Sequence, residues 1–258
     1  MTAPCESISA AIRAAGAQGR PALVAFMTAG FPDRQRFRAD LAAIASQADV
    51  VEIGVPFTDP MADGMTIQRA SFAALQGGFT LPWLLQELEQ MRPRPSAPRL
   101  LMSYLNPLLA FGFDALPDAA RRAGVSGFIV PDLPYEESGE IRAALDPAGL
   151  ALVQMVTPVT PPERLERLCE ASRGFVYAVT MTGTTGRSAG VPDEVLGYMD
   201  RVRAVSPVPV CAGFGIRSRE QVARMRGHVD GVVVGSALVE VLERGDDPVA
   251  FLRQLKVG

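Results

Sequence analysis

Eight short, nearly continuous apolar runs punctuate the chain, at 22–28, 50–55, 100–104, 127–130, 150–156, 175–179, 208–212 and 231–235. Each is rich in Val, Ile, Leu or Phe, and Gly, Pro, Asp or Thr stand at their ends. Runs without polar alternation suit strands covered on both faces, as in a parallel sheet. Between them the spacing turns helical. Phe37, Leu41 and Ile44 form one stripe, Leu81, Leu84, Leu85 and Leu88 a second, and Val195, Met199 and Val202 a third. Each stripe lays one apolar face on the sheet. Thr160-Pro161-Pro162-Glu163 reads as a capping box with Pro at the first helical position, and Ser218 with Gln221 as another. Strand and helix alternating eight times within 258 residues predict a single (β/α)8 TIM barrel over 1–258. An open doubly wound sheet is the alternative. No G-x-G-x-x-G follows the first run, which weakens a dinucleotide-binding version of it. The Pro-rich stretch 92–98 reads as a helix-to-strand connection.

Composition narrows the function classes. Hydrophobic residues make up 48% and charged residues 21%, enough apolar material for a large core. The net charge of -3 offers nothing to a phosphate backbone or an anionic membrane. Cys5, Cys169 and Cys211 form no C-x-x-C pair, which suits a reducing cytoplasm and no metal module, and Cys211 reads as a small buried hydrophobe. The first residues carry no basic region before an apolar stretch, so a cytoplasmic location is expected. The only histidine, His228, falls just before the last strand, at the end of a barrel that does not carry chemistry. A Ser-His-Asp triad and a His-rich metal site are thereby excluded.

In such a barrel the chemistry sits just after each strand. Glu52 lies inside the second apolar run. A buried carboxylate has a raised pKa, which suits a general acid/base; pairing with a neighbouring Arg is the structural alternative. The following loop adds Asp59 and Asp63 on the same rim. Singly, Asp63 reads as a helix N-cap and Asp59 as a turn former, but three carboxylates at one strand end favour a catalytic site. Gly213-Phe214-Gly215 follows the seventh strand, and Gly235-Ser236 follows the eighth and opens a helix. Loops there cradle phosphate in this fold, through backbone N–H groups and the helix dipole. Tight turns alone are the alternative use of these glycines. The stretch 180–190 is small, polar and punctuated by Gly, as active-site lids are.

The stretch from Glu52-Ile53-Gly54-Val55-Pro56-Phe57-Thr58-Asp59-Pro60 to Met61-Ala62-Asp63-Gly64 resembles the signature of the tryptophan synthase α chains. So do Tyr104-Leu105-Asn106-Pro107, Val130-Pro131-Asp132-Leu133-Pro134, Thr157-Pro158-Val159-Thr160-Pro161, Gly183-Thr184-Thr185-Gly186 and Gly213-Phe214-Gly215-Ile216. The matches run in family order through nearly the whole chain.

The resemblance implies a retro-aldol cleavage of indole-3-glycerol phosphate to indole and glyceraldehyde 3-phosphate. It implies that Glu52 is the acid/base, that Asp63 accepts the indole N–H, and that Tyr177 lies beside the glycerol portion. Phe26, Tyr104, Ile129 and Phe214 would line the ring pocket, with core packing the other use of Phe26 and Ile129. Thr185 would order the loop after the second strand, and Gly186, Gly215, Gly235 and Ser236 would hold the phosphate. No cofactor or metal is implied in this chain; pyridoxal phosphate is expected only in a β-subunit partner, within an α2β2 hetero-tetramer. Met65 stands where the family usually carries Pro or a small residue, at a place where it would alter contact with that partner. A stand-alone lyase releasing free indole, another phosphate-binding barrel enzyme such as an isomerase or epimerase, and a non-catalytic phosphate-binding barrel are the competing readings.

Overall fold

The computed structural model describes residues 3–180, 191–213 and 215–256. Its strands are β1 (Ala22–Thr28), β2 (Val50–Gly54), β3 (Arg99–Met102), β4 (Val125–Ile129), β5 (Ala151–Val156), β6 (Val176–Val179), β7 (Val210–Gly213) and β8 (Gly231–Val234). The helices are α1 (Pro4–Ala17), α2 (Phe37–Ala45), α3 (Met65–Gln76), α4 (Leu81–Gln90), α5 (Leu105–Phe111) and α6 (Leu116–Arg122), followed by α7 (Gly139–Leu145), α8 (Pro162–Ala171), α9 (Asp193–Val205), α10 (Arg219–Met225), α11 (Ser236–Arg244) and α12 (Pro248–Leu255). The eight strands pair in sequence order, all parallel, and β8 pairs with β1 to close the barrel. The (β/α)8 expectation holds, and the open sheet does not.

Closure fixes two cores. Side chains alternate across each strand, so one set points inward and the other meets the helices. Val24, Val50, Leu100, Ile129, Val153, Tyr177, Cys211 and Val233 fill the inside. Helix α1 seals the lower end by pressing Ile8 and Ile12 onto that set, and the Ser9 hydroxyl donates to the Gly174 carbonyl at 2.6 Å. Complete burial of each Ile stabilises by about 1.5–3 kcal/mol. The second core lies between strands and helices, and takes in Phe37, Leu41 and Ile44 of α2 and Leu84, Leu85 and Leu88 of α4.

The predicted Ser218–Gln221 capping box opens α10. The other does not form: α8 has Pro161 at its N-cap, and Thr160 instead closes a turn, its hydroxyl accepting from the Thr157 amide at 2.9 Å. Pro161 at the cap has no side-chain acceptor to offer, so the threonine serves the turn before it. His228 pairs with Asp200 at 2.9 Å, away from the strand ends that carry the loops. No helix among the described residues is long and apolar enough to cross a membrane.

Candidate active site

Strand pleating decides where Glu52 points. Val51 and Ile53 belong to the outer core and Val50 to the inner one, so Glu52 faces into the barrel. It is 1% exposed, and neither carboxylate oxygen has a hydrogen-bond partner among the described residues. The pairing with an Arg that would make it structural is therefore not found there. Burial, and then the negative charge of Asp63, push its pKa up to about 8. Glu52 holds its proton at neutral pH, poised to donate.

Asp63 comes from the loop after β2. It is not the N-cap of α3, a position taken by Gly64. Its backbone is pinned from both sides. The Ala62 amide donates to the Tyr104 hydroxyl at 2.8 Å, and the Gln68 side-chain amide donates to the Asp63 carbonyl at 2.8 Å. Tyr104 itself packs on Phe57, with ring centroids 5.3 Å apart. Burial raises the Asp63 pKa to about 6, against the opposing pull of the Tyr104 hydroxyl. Near neutral pH one carboxyl is mostly protonated and the other mostly ionised, which separates an acid from an anion within one site. Asp59 is exposed and accepts from the Thr58 hydroxyl.

Glycines let two aromatic rings come close to neighbouring strands. A Cβ on Gly54 would lie 2.5 Å from Phe26, and one on Gly213 would lie 2.2 Å from Tyr177. Both rings thereby reach the cavity that also contains Glu52 and Asp63. Burial, and next the charge of Glu52, push the Tyr177 hydroxyl pKa well up, so it stays protonated.

Gly215, Gly235 and Ser236 line the same cavity. Topology explains the meeting: β8 neighbours β1, and β1 neighbours β2, so the last loops abut the Asp63 loop. Gly215 has φ +83, a conformation suited to glycine. A Cβ on Gly235 would meet nothing closer than 3.9 Å, so packing does not require glycine there. At the start of α11 the Leu238 and Val239 amides donate to the Gly235 carbonyl, which leaves the Ser236 and Ala237 amides with no helical carbonyl to donate to. Together these make a neutral, donor-rich wall suited to a phosphate.

Tyr104 borders a smaller adjoining space with Phe26 and Asp63. Ile129 lies in the inner core and is not among the residues lining the cavity. Thr185, Gly186 and Phe214 lie outside the described residues. Ile67, Met102 and Arg217 line the cavity without having been singled out from sequence. Met102 sits within a predicted strand and was legible as an inward position; Arg217 carried no signal beyond its nearness to Gly215. Among the described residues, no group of three or more His, Cys, Asp or Glu could hold a metal ion.

Residues 12–257 match the family model described as tryptophan synthase alpha chain. The tryptophan synthase alpha chain of Solidesulfovibrio magneticus is 46% identical over 92% of this chain and 93% of its own length. Among solved structures, a Mycobacterium tuberculosis tryptophan synthase aligns with TM-score 0.88 at 37% identity, covering 96% of each chain. A Pyrococcus furiosus structure described as the tryptophan synthase a2b2 complex aligns with TM-score 0.85 at 34% identity, covering 92% of this chain and 98% of the other. With its barrel, its buried carboxylate and its glycine-lined wall in one cavity, the chain belongs to the tryptophan synthase alpha chain family.

Proposed function

We propose that this chain, an α-type lyase of tryptophan synthesis, cleaves indole-3-glycerol phosphate into indole and glyceraldehyde 3-phosphate. The observation that carries the reading is Glu52, buried, holding its proton and without a hydrogen-bond partner among the described residues, in one cavity with the Gly235–Ser236 helix start. Protonated Glu52 donates to the indole ring carbon that bears the glycerol chain. The resulting carboxylate then takes the proton of the adjacent glycerol hydroxyl. That O–H electron pair becomes the aldehyde carbonyl, and the broken C–C pair returns to the ring and restores its aromaticity. Ionised Asp63 accepts the ring N–H and offsets the positive charge that develops there. The phosphate, anchored on Gly215, Gly235 and Ser236, supplies orientation. Carboxylates meet both proton transfers, so no cofactor is required in this chain. Incubation with indole-3-glycerol phosphate should yield equimolar indole and glyceraldehyde 3-phosphate; a purified, folded chain that releases neither, with and without a β subunit, overturns the reading.

The partner we infer is a tryptophan synthase β subunit in an α2β2 assembly, which would hold the pyridoxal phosphate. An apolar face supports this. Met61 is 90% exposed, Met65 75% and Phe72 65%, and Met65 and Phe72 border a surface groove with Phe57 and Leu75. Contiguous apolar surface of this kind marks association sites. The face is continuous with the Asp63 loop, so a partner covering it would also press on the site. Phe72→Asp should abolish co-elution with the β subunit while the isolated chain keeps its turnover; unchanged co-elution would place the contact elsewhere.

A further inference from the structure

Helix α11 presents its N-terminus to the cavity, and one turn on it carries a carboxylate that touches both sides of the site. Glu240 accepts a forked pair of hydrogen bonds from Arg217, at 2.8 and 2.9 Å. It also accepts from the Thr66 hydroxyl at 3.3 Å. Arg217 stands two residues after Gly215 on the phosphate-side loop and lines the cavity. Thr66 is the second residue of α3, whose N-cap Gly64 comes straight after Asp63. A second fork, Arg69 to Glu243 at 2.8 and 2.7 Å, joins the same two helices one turn away and borders no part of this cavity.

Ion pairs this open to solvent contribute about 0–1 kcal/mol to stability. Their consequence is directional, because a bidentate guanidinium–carboxylate pair fixes the plane of both groups. Of the two carboxylates, only Glu240 bonds both to the phosphate-side loop, through Arg217, and to the helix that begins beside Asp63, through Thr66. A displacement of about 1 Å at a reacting group costs up to about 10²-fold in rate.

We propose that Glu240 is a positioning residue, which, held between Arg217 and Thr66, sets the spacing between the phosphate wall and the Asp63 carboxylate. The proposal rests on the reading of the site as one for indole-3-glycerol phosphate. Phosphate on the Gly215 side is thereby mechanically tied to the start of α3. Arg217 and Thr66 both bond to Glu240, and no hydrogen bond joins them to each other among the described residues.

The test is a set of steady-state measurements on Thr66→Val, Glu240→Ala, Glu240→Gln and the Thr66→Val/Glu240→Ala pair, each with its melting temperature. Thr66→Val should lower kcat by about threefold to tenfold with little change in KM, a fraction of the loss that a full misplacement brings. In the Glu240→Ala background the same substitution should have no effect on kcat. Glu240→Gln, which keeps an acceptor for Thr66 but loses the charged fork, should fall between wild type and Glu240→Ala. Glu243→Ala, which removes the other fork, should leave kcat within about twofold. Equal factors for Thr66→Val in both backgrounds, a silent Thr66→Val in the wild type, or a Glu243→Ala loss as large as that of Glu240→Ala would overturn the proposal. If the wild type releases no indole, the reading of the site fails; if it does and the factors multiply, only the positioning role fails.

Discussion

Glu52→Gln should lower kcat for indole release by about 10²–10⁴-fold, the span of general acid–base groups, and should make the protein harder to melt as the pH rises. The two effects have one cause. Unfolded, the carboxyl titrates near 4.5; buried, it titrates at about 8. Below the lower value it is protonated in both states and its burial is tolerated. As pH climbs toward the upper value, folding must hold a proton that the unfolded chain has released, and stability is lost through that window. Glutamine has nothing to titrate. The melting temperature of the variant relative to wild type should therefore rise steadily from about pH 4.5 to about pH 8, as followed by thermal unfolding across that range. A difference that stays flat with pH would mean that Glu52 is not the buried acid described. In the wild type, kcat/KM should fall above about pH 8 as Glu52 loses its proton and below about pH 6 as Asp63 gains one.

Asp63→Asn should cost about 10²–10³-fold in kcat, comparable to removing a preorganised electrostatic partner of a developing charge. The amide keeps the size of the side chain and loses the negative charge. It also removes the neighbouring charge that helps to raise the Glu52 pKa. The alkaline limb of the rate profile should then move to lower pH, a shift that a loss of binding alone does not produce. Steady-state kinetics over pH for both proteins check this. A variant with wild-type kcat, or with a lowered kcat and an unmoved alkaline limb, would sever the link between the two carboxyls.

Much of this arrangement is legible in the residues. The run 22–28 coincides with β1, because nothing inside it interrupts the apolar pattern. A lone Glu in such a run, facing inward by strand periodicity, marks itself as a candidate for the site, with pairing to an Arg as its other use. The glycine-rich ends of β7 and the start of α11 are equally plain, since the loops after the last two strands meet wherever eight parallel units close into a ring. Other features turn on side-chain geometry that spacing does not carry. The third run extends to 104, but β3 ends at Met102, because Tyr104 serves as the N-cap residue of α5 and turns its hydroxyl to the Ala62 amide. Helix α1 goes unread because its apolar residues seal an end rather than face a strand layer. Ile129 looks the same in sequence whether it borders a ligand or packs the interior. The contact of Thr66 with Glu240 joins positions 174 residues apart, and no local pattern can report it.

The packed inner side chains, with Ile8 and Ile12 beneath them, make the barrel a cup and not a tube. Whatever enters over the rim leaves over the rim. The traffic of reactant and products is therefore decided at one mouth, beside the greasy shoulder formed by Met61 and Met65. A lid of protein resting on that shoulder would control arrival and departure together, without any change to the walls beneath.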